Sequence, residues 1–192
     1  PWWDIEILKF CVIDFSYRFW FNRTVRVFTA IDFSKPAKDK ILFAIEELKK
    51  SCSKGRFTSY DNLHLTLAFL GEKNDSEIED IIRRLNKIDF ERFSLNIGGL
   101  GKFTRDGGDI YWIGAKSPGL IKLREQVYCL LKDYGIDDRF TPHITLAREA
   151  KCSELNLKFS DFKETVSAVT LMKSERINGK LTYTPIFIKP LN

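Results

Sequence analysis

Histidine is almost absent from this chain: there are two in 192 residues, His64 and His143. Methionine is scarcer still, with Met172 alone. The four cysteines, Cys11, Cys52, Cys129 and Cys152, stand far apart and form no C-x-x-C pair. With so few histidines beside them, that pattern argues against a structural zinc site. A chain of this length can bury a core without a cross-link, so the expectation is four reduced cysteines, buried or inert, in a cytoplasmic protein. Their spacing leaves a disulfide open. No run approaches the roughly 18 uncharged apolar residues of a membrane span. The aromatic N-terminal segment is interrupted by Asp4, Glu6, Lys9, Asp14, Arg18 and Arg23, and it lacks the basic-then-apolar order of a signal peptide.

What is present is ordinary in bulk. Hydrophobic residues make up 44% of the chain, which excludes a mostly disordered protein. Lysine and arginine number 31 against 26 acidic residues, giving +5 and a pI near 9.0. That excess suits a phosphate-rich partner without demanding one. Aromatics are unevenly placed, with Trp2, Trp3, Phe10, Phe15, Tyr17, Phe19, Trp20 and Phe21 crowded at the start.

The patterning predicts alternating elements. Val25–Ile31 reads as a buried strand, and Ser34 caps a helix from Pro36 to Lys50. Ser51–Gly55 reads as a loop, and Leu63–Leu70 as a second strand. A helix follows over 76–88, then a strand from Phe93 to Ile97. Gly98-Gly99-Leu100-Gly101 reads as a tight inter-strand turn rather than a phosphate cradle, because no helix follows it. Asp109–Ala115 is a strand, Pro118–Tyr134 a helix, and Gly135–Pro142 a loop before the strand His143–Arg148. Val166–Lys173 and Thr182–Ile188 close the chain as strands joined at Asn178-Gly179, a hairpin signal.

The two histidine strands superimpose. His64-Leu65-Thr66-Leu67-Ala68 and His143-Ile144-Thr145-Leu146-Ala147 differ at one position in five and lie 79 positions apart. This points to an internal duplication and two similar lobes. Strand alternation puts His64 with Thr66, and His143 with Thr145, on one face, while Leu65, Leu67, Ile144 and Leu146 point into the core. A lone histidine on an apolar strand is usually a satisfied core residue. Here the whole supply of histidine falls in one repeated motif, which favours chemistry. Two facing imidazoles can take a proton from water and give one to a leaving oxygen near neutral pH. Two hydroxyls can donate to the non-bridging oxygens of a phosphodiester. No carboxylate cluster accompanies them, so neither a metal nor another cofactor is expected.

These pieces resemble the two-histidine phosphoesterase superfamily, and within it the RNA 2′,3′-cyclic phosphodiesterase family, also called the 2′-5′ RNA ligase family. The matching segments are Arg26–Asp32, Asn62–Leu67 with Phe69-Leu70-Gly71, Gly98–Phe103, Tyr111–Gly114 and Phe140–Arg148, in the family's order. The resemblance implies a bilobal α+β fold with antiparallel sheets facing across a groove. It implies His64 as the general acid, His143 as the general base, and Thr66, Thr145 and Arg148 as phosphate ligands. The implied reaction opens a terminal 2′,3′-cyclic phosphate of RNA to a 2′-phosphomonoester without metal, or in reverse joins tRNA halves through a 2′-5′ linkage. A monomer is expected. Arg56, Phe57, Tyr60, Arg139 and Phe140 are candidates for contact with an RNA base or phosphate, set against the plainer reading of solvated charges beside packed rings. Lys102 is expected to be a surface charge only.

Two other readings stay open. One keeps the site but changes the substrate to a small cyclic nucleotide or an ADP-ribose cyclic phosphate. The other is a non-catalytic RNA-binding module. The resemblance begins near Val25, so residues 1–24 are read as an extension outside a single bilobal domain at 25–192. Either they are upstream sequence before a non-AUG start at Val25, or they are a real extension packing on a lobe or partner.

Overall fold

The computed structural model describes residues 24–153 and 159–192. The aromatic segment at 1–23 lies outside them. The elements run β1 (Val25–Asp32), α1 (Lys35–Lys50), β2 (Cys52–Phe57), β3 (His64–Lys73), α2 (Asp75–Leu85), β4 (Phe93–Phe103), β5 (Asp109–Lys116), α3 (Pro118–Leu131), β6 (His143–Cys152), β7 (Phe162–Val166), β8 (Ala168–Ile177) and β9 (Lys180–Pro190). They form a four-stranded sheet, β3-β1-β8-β9, and a five-stranded sheet, β2-β6-β5-β4-β7, with all pairs antiparallel. This is the mixed α/β, two-sheet architecture the sequence led us to expect.

The helices start where short polar side chains satisfy their first N–H groups. Ser34 accepts from the Ala37 N–H, with Pro36 in the first turn of α1. Asn74 and Glu77 form a reciprocal capping box on α2, which begins the helix one residue earlier than its apolar pattern suggests. Along α1, Ile41, Ala44, Ile45 and Leu48 are buried at helical spacing. One continuous core joins them to Leu65, Leu67, Ile144 and Leu146, so both histidine strands are anchored by the alternation read from the sequence.

The strands interleave between the sheets rather than dividing the chain in half. β1 and β3 share a sheet with the C-terminal hairpin β8–β9, while β2, from the first half, is the edge of the other sheet. β2 replaces the expected loop at 51–55, because its residues pair with β6 from Cys52↔Cys152 to Phe57↔Ala147. That pairing corrects the reading of the cysteines: Cys52 and Cys152 are joined in a disulfide, and Cys129 is free and exposed rather than buried. Cys11 lies outside the described residues.

Gly98–Gly101 is not a turn. β4 runs through it to Phe103, paired with β5, and absorbs an irregularity between Gly98 and Leu100. Gly99 takes the left-handed conformation at that point, with φ +73°. β7 went unread because its pattern, Phe-Lys-Glu-Thr-Val, has few apolar residues; it is an edge strand beside β4. The hairpin at Asn178-Gly179 is present, with both residues at positive φ, 50° and 79°.

Candidate active site

Each histidine is the first residue of its strand and is oriented in the same way. His64 Nδ1 lies 2.7 Å from the Asn62 carbonyl, and His143 Nδ1 lies 2.7 Å from the Thr141 carbonyl. A carbonyl only accepts, so each Nδ1 carries the proton and Nε2 is left as the nitrogen able to exchange one. His64 Nε2 is 3.0 Å from Thr66 Oγ1, which donates to it while the ring is neutral. The fixed tautomer is therefore built from backbone two residues upstream, in both motifs.

Asn62 is a positioning residue that the sequence reading did not single out. It is buried, its Nδ2 donates to the Leu181 carbonyl at 2.8 Å, and its Oδ1 accepts from the Tyr183 N–H at 3.1 Å. It thereby ties the turn before His64 to β9. The signal was available in the segment Asn62-Leu63-His64, but the purpose of an asparagine there depends on a strand 119 residues away.

Aromatic rings enclose both imidazoles. Phe28 and Tyr183 stand 4.9 and 5.1 Å from the His64 ring, centre to centre. Phe103 and Trp112 stand 5.2 and 6.1 Å from the His143 ring. A Cβ at Gly101 would run into the Trp112 ring, so that glycine exists to let the indole lie flat on β4. None of these four rings was chosen from sequence, since each reaches the site only through strand pairing.

Burial among these rings lowers the His64 pKa from 6.5 to about 4, with the positive charges of Arg148 and His143 adding to the effect; the Asn62 carbonyl and Asp32 act in the opposite direction. His143 is also lowered, first by burial and then by Arg148, against the Thr141 carbonyl. Arg148 thus sits within electrostatic reach of both imidazoles. It is exposed and, among the described residues, has no carboxylate at ion-pair distance. Its ladder partner Arg56 differs, being paired with Glu149.

A cavity of about 550 Å³ opens beside His143, lined by that residue, by Thr66 and Phe69 of β3, and by Arg139, Phe140 and Thr141 of the preceding loop. Thr145 lies on β6 opposite Trp112. The remaining candidates divide. Arg139 and Phe140 reach the cavity, although Arg139 also grips Asp137. Phe57 packs on the core beneath Lys49, and Tyr60 donates to the Lys35 carbonyl at 3.4 Å with Lys38 over its ring. Lys102 is exposed and engaged by Asp109 at 2.7 Å, as a surface charge would be. Among the described residues no helix is long and apolar enough to cross a membrane.

The geometry brings His143 and Arg148 within electrostatic reach of His64, with a threonine two residues on in each histidine strand, which is equipment for an anionic ester. The comparisons agree. A protein of Archaeoglobus fulgidus named RNA 2′,3′-cyclic phosphodiesterase is 34% identical over 128 residues, covering 65% of this chain and 72% of that protein. The crystal structure of Escherichia coli LigT in apo form matches with a TM-score of 0.75 at 28% identity, over 88% of this chain and 98% of that one. A LigT structure complexed with 3′-AMP matches with a TM-score of 0.72 at the same identity and coverage. The model of the 2′-5′ RNA ligase superfamily matches residues 36–178, and this chain belongs to that superfamily.

Proposed function

We propose that this chain opens a terminal 2′,3′-cyclic phosphate of RNA to a 2′-phosphomonoester, with His64 as the acid and His143 as the base. The observation that carries the reading is the matched pair of imidazoles. Each is held by a carbonyl at Nδ1, which leaves Nε2 as the basic nitrogen, and each belongs to a His-x-Thr strand that contributes to the lining of one cavity. His143 Nε2 takes a proton from the attacking water. The phosphorus–oxygen bond to the ribose 3′ oxygen breaks, and His64 Nε2 delivers a proton to that oxygen. The 2′ oxygen keeps the phosphate. Thr66, Thr145 and Arg148 stabilise the charge that builds on the non-bridging oxygens.

With a ribose 5′-hydroxyl in place of water as the attacking group, the same steps open the cyclic phosphate into a 2′-5′ phosphodiester and free the 3′ oxygen, so 2′-5′ ligation of tRNA halves is part of the same proposal. A monomer in the cytoplasm completes it.

The test is product analysis on a defined RNA ending in a 2′,3′-cyclic phosphate, in the presence of a chelator. The expected product is the 2′-phosphomonoester, with turnover reduced about 10²–10⁴-fold in His64→Ala and in His143→Ala. A 3′-phosphomonoester would overturn the assignment of the leaving oxygen. Undiminished turnover in both variants would overturn the mechanism. Turnover of small cyclic nucleotides but not of RNA would replace the substrate.

A further inference from the structure

The cavity beside His143 carries three arginines in its lining. Arg105 reaches it from the turn between β4 and β5, Arg124 from α3, and Arg139 from the loop before β6. Its one lining carboxylate, Asp137, is already committed. It accepts from the Arg139 main-chain N–H at 3.0 Å and from the guanidinium at 3.2 and 3.0 Å.

Arg124 is the unusual member. Its side chain is buried, with the residue 5% exposed. Its guanidinium lies between the rings of Tyr128 and Phe140, at 5.1 and 5.4 Å. One N–H donates to the Asp137 carbonyl at 2.6 Å, and the buried Nε has no partner. Asp137 and Asp138 act on it electrostatically, but among the described residues no carboxylate comes within ion-pair distance. A buried guanidinium without an anion is costly. Holding the 137–140 loop accounts for the bonded N–H and the stacked rings. It accounts neither for the free Nε nor for a second cation on the same cavity, Arg105, which among the described residues has no carboxylate at ion-pair distance.

We infer that this cavity is a second subsite, which holds the nucleotide preceding the cyclic phosphate, with Arg105 and Arg124 as cations for its phosphate and Phe103 and Phe140 as faces for its base. The inference rests on the reaction proposed above, since Thr66 and His143 at the head of the cavity fix where the cyclic phosphate sits. A phosphodiester supplies the anion that Arg124 lacks, and unpaired bases stack on the accessible faces of half-buried rings whatever their identity. The subsite makes this enzyme prefer an oligonucleotide end to a mononucleotide.

The experiment compares two products as ligands by titration calorimetry: a nucleoside 2′-monophosphate, and a dinucleotide ending in a 2′-phosphate. The wild-type protein is expected to bind the dinucleotide at least tenfold more tightly, with the preference shrinking at high salt. Arg105→Ala and Arg124→Gln should each reduce that ratio by roughly tenfold, while the exposed Lys122→Ala, two residues from Arg124, should not change it. Equal affinity for both ligands in the wild type would overturn the inference. So would variants that weaken both ligands equally, the signature of an arginine that only holds the loop. If Arg124→Gln does not fold, the exposed Arg105 decides alone. Turnover of the corresponding cyclic phosphates, run in parallel, separates the two proposals. If neither cyclic phosphate reacts but the dinucleotide product keeps its advantage, the reaction fails and the subsite stands.

Discussion

The depressed pKa of His64 makes a sharp demand on the mechanism. With a pKa of about 4, the ring is neutral at pH 7 in the free protein, yet an acid must hold a proton. The substrate itself can resolve this. A phosphodiester anion about 4 Å from an imidazolium, at the effective dielectric typical of protein sites, stabilises it by about 4 kcal/mol. One pKa unit is about 1.4 kcal/mol, so this is close to three units of upward shift. It offsets the lowering by burial and returns His64 to near neutrality when the groove is filled. The perturbation is therefore saturation with a nucleoside 2′-monophosphate, and the assay is a pH titration of imidazole signals by NMR. Only two histidines exist, and His64→Ala assigns them. His64 should titrate near pH 4 in the free protein and two to three units higher in the complex. A free-protein value of 6.5 or above, or no movement on binding, would refute the reasoning. The same shift has a stability consequence. Between pH 4 and 6.5 the unfolded chain binds the His64 proton and the native state does not, so stability should rise with pH through that window. Discounted for the partial exposure of the ring, the effect is about 2 kcal/mol, and it should disappear in His64→Ala in thermal unfolding followed across pH.

Two further predictions concern the supports of the site. Gly101→Ala should lower kcat/KM by roughly tenfold, because the new methyl displaces the Trp112 ring that packs against His143, whereas Gly107→Ala, whose Cβ meets nothing within 4 Å, should leave it unchanged. Cys52→Ser should cost about 2–4 kcal/mol in urea unfolding, since the disulfide closes a long loop with a sequence separation of 100; equal midpoints for the variant and the oxidised wild type would refute that.

The two histidine strands were legible because their signal is local. Alternation alone places His64 with Thr66 and buries Leu65 and Leu67, and no distant residue is needed to read it. The four rings around the imidazoles were not legible for the opposite reason. Phe28 reaches His64 because β1 pairs with β3, and Trp112 reaches His143 because β5 pairs with β6. The misread segments share this dependence. Cys52–Phe57 and Phe162–Val166 are edge strands of mixed polarity, whose identity comes from the partner they pair with. Gly98–Gly101 carries turn chemistry inside a strand for reasons set by distant residues: Gly98 lies against Asp161, Gly99 takes a positive φ at the irregularity, and Gly101 leaves room for the Trp112 indole. The Cys52–Cys152 bond follows from a register that no spacing rule contains.

Local likeness and long-range difference together bear on how one motif could take the two proposed roles. Both imidazoles have the same tautomer, the same carbonyl partner two residues back and the same neighbouring threonine, all encoded in the repeated pentapeptide and the turn before it. What differs comes from elsewhere in the chain. Phe28 of β1 and Tyr183 of β9 close over His64, while His143 lies open to the cavity beside Phe103 and Trp112. Both are lowered by burial, and the larger effect falls on His64. Of two such groups, the one less depressed is the better proton acceptor at neutral pH, and the more depressed one, once charged by the substrate anion, gives its proton up more readily. The unequal surroundings are therefore what the proposed division, His143 as base and His64 as acid, rests on, since the identical motifs could not make it by themselves.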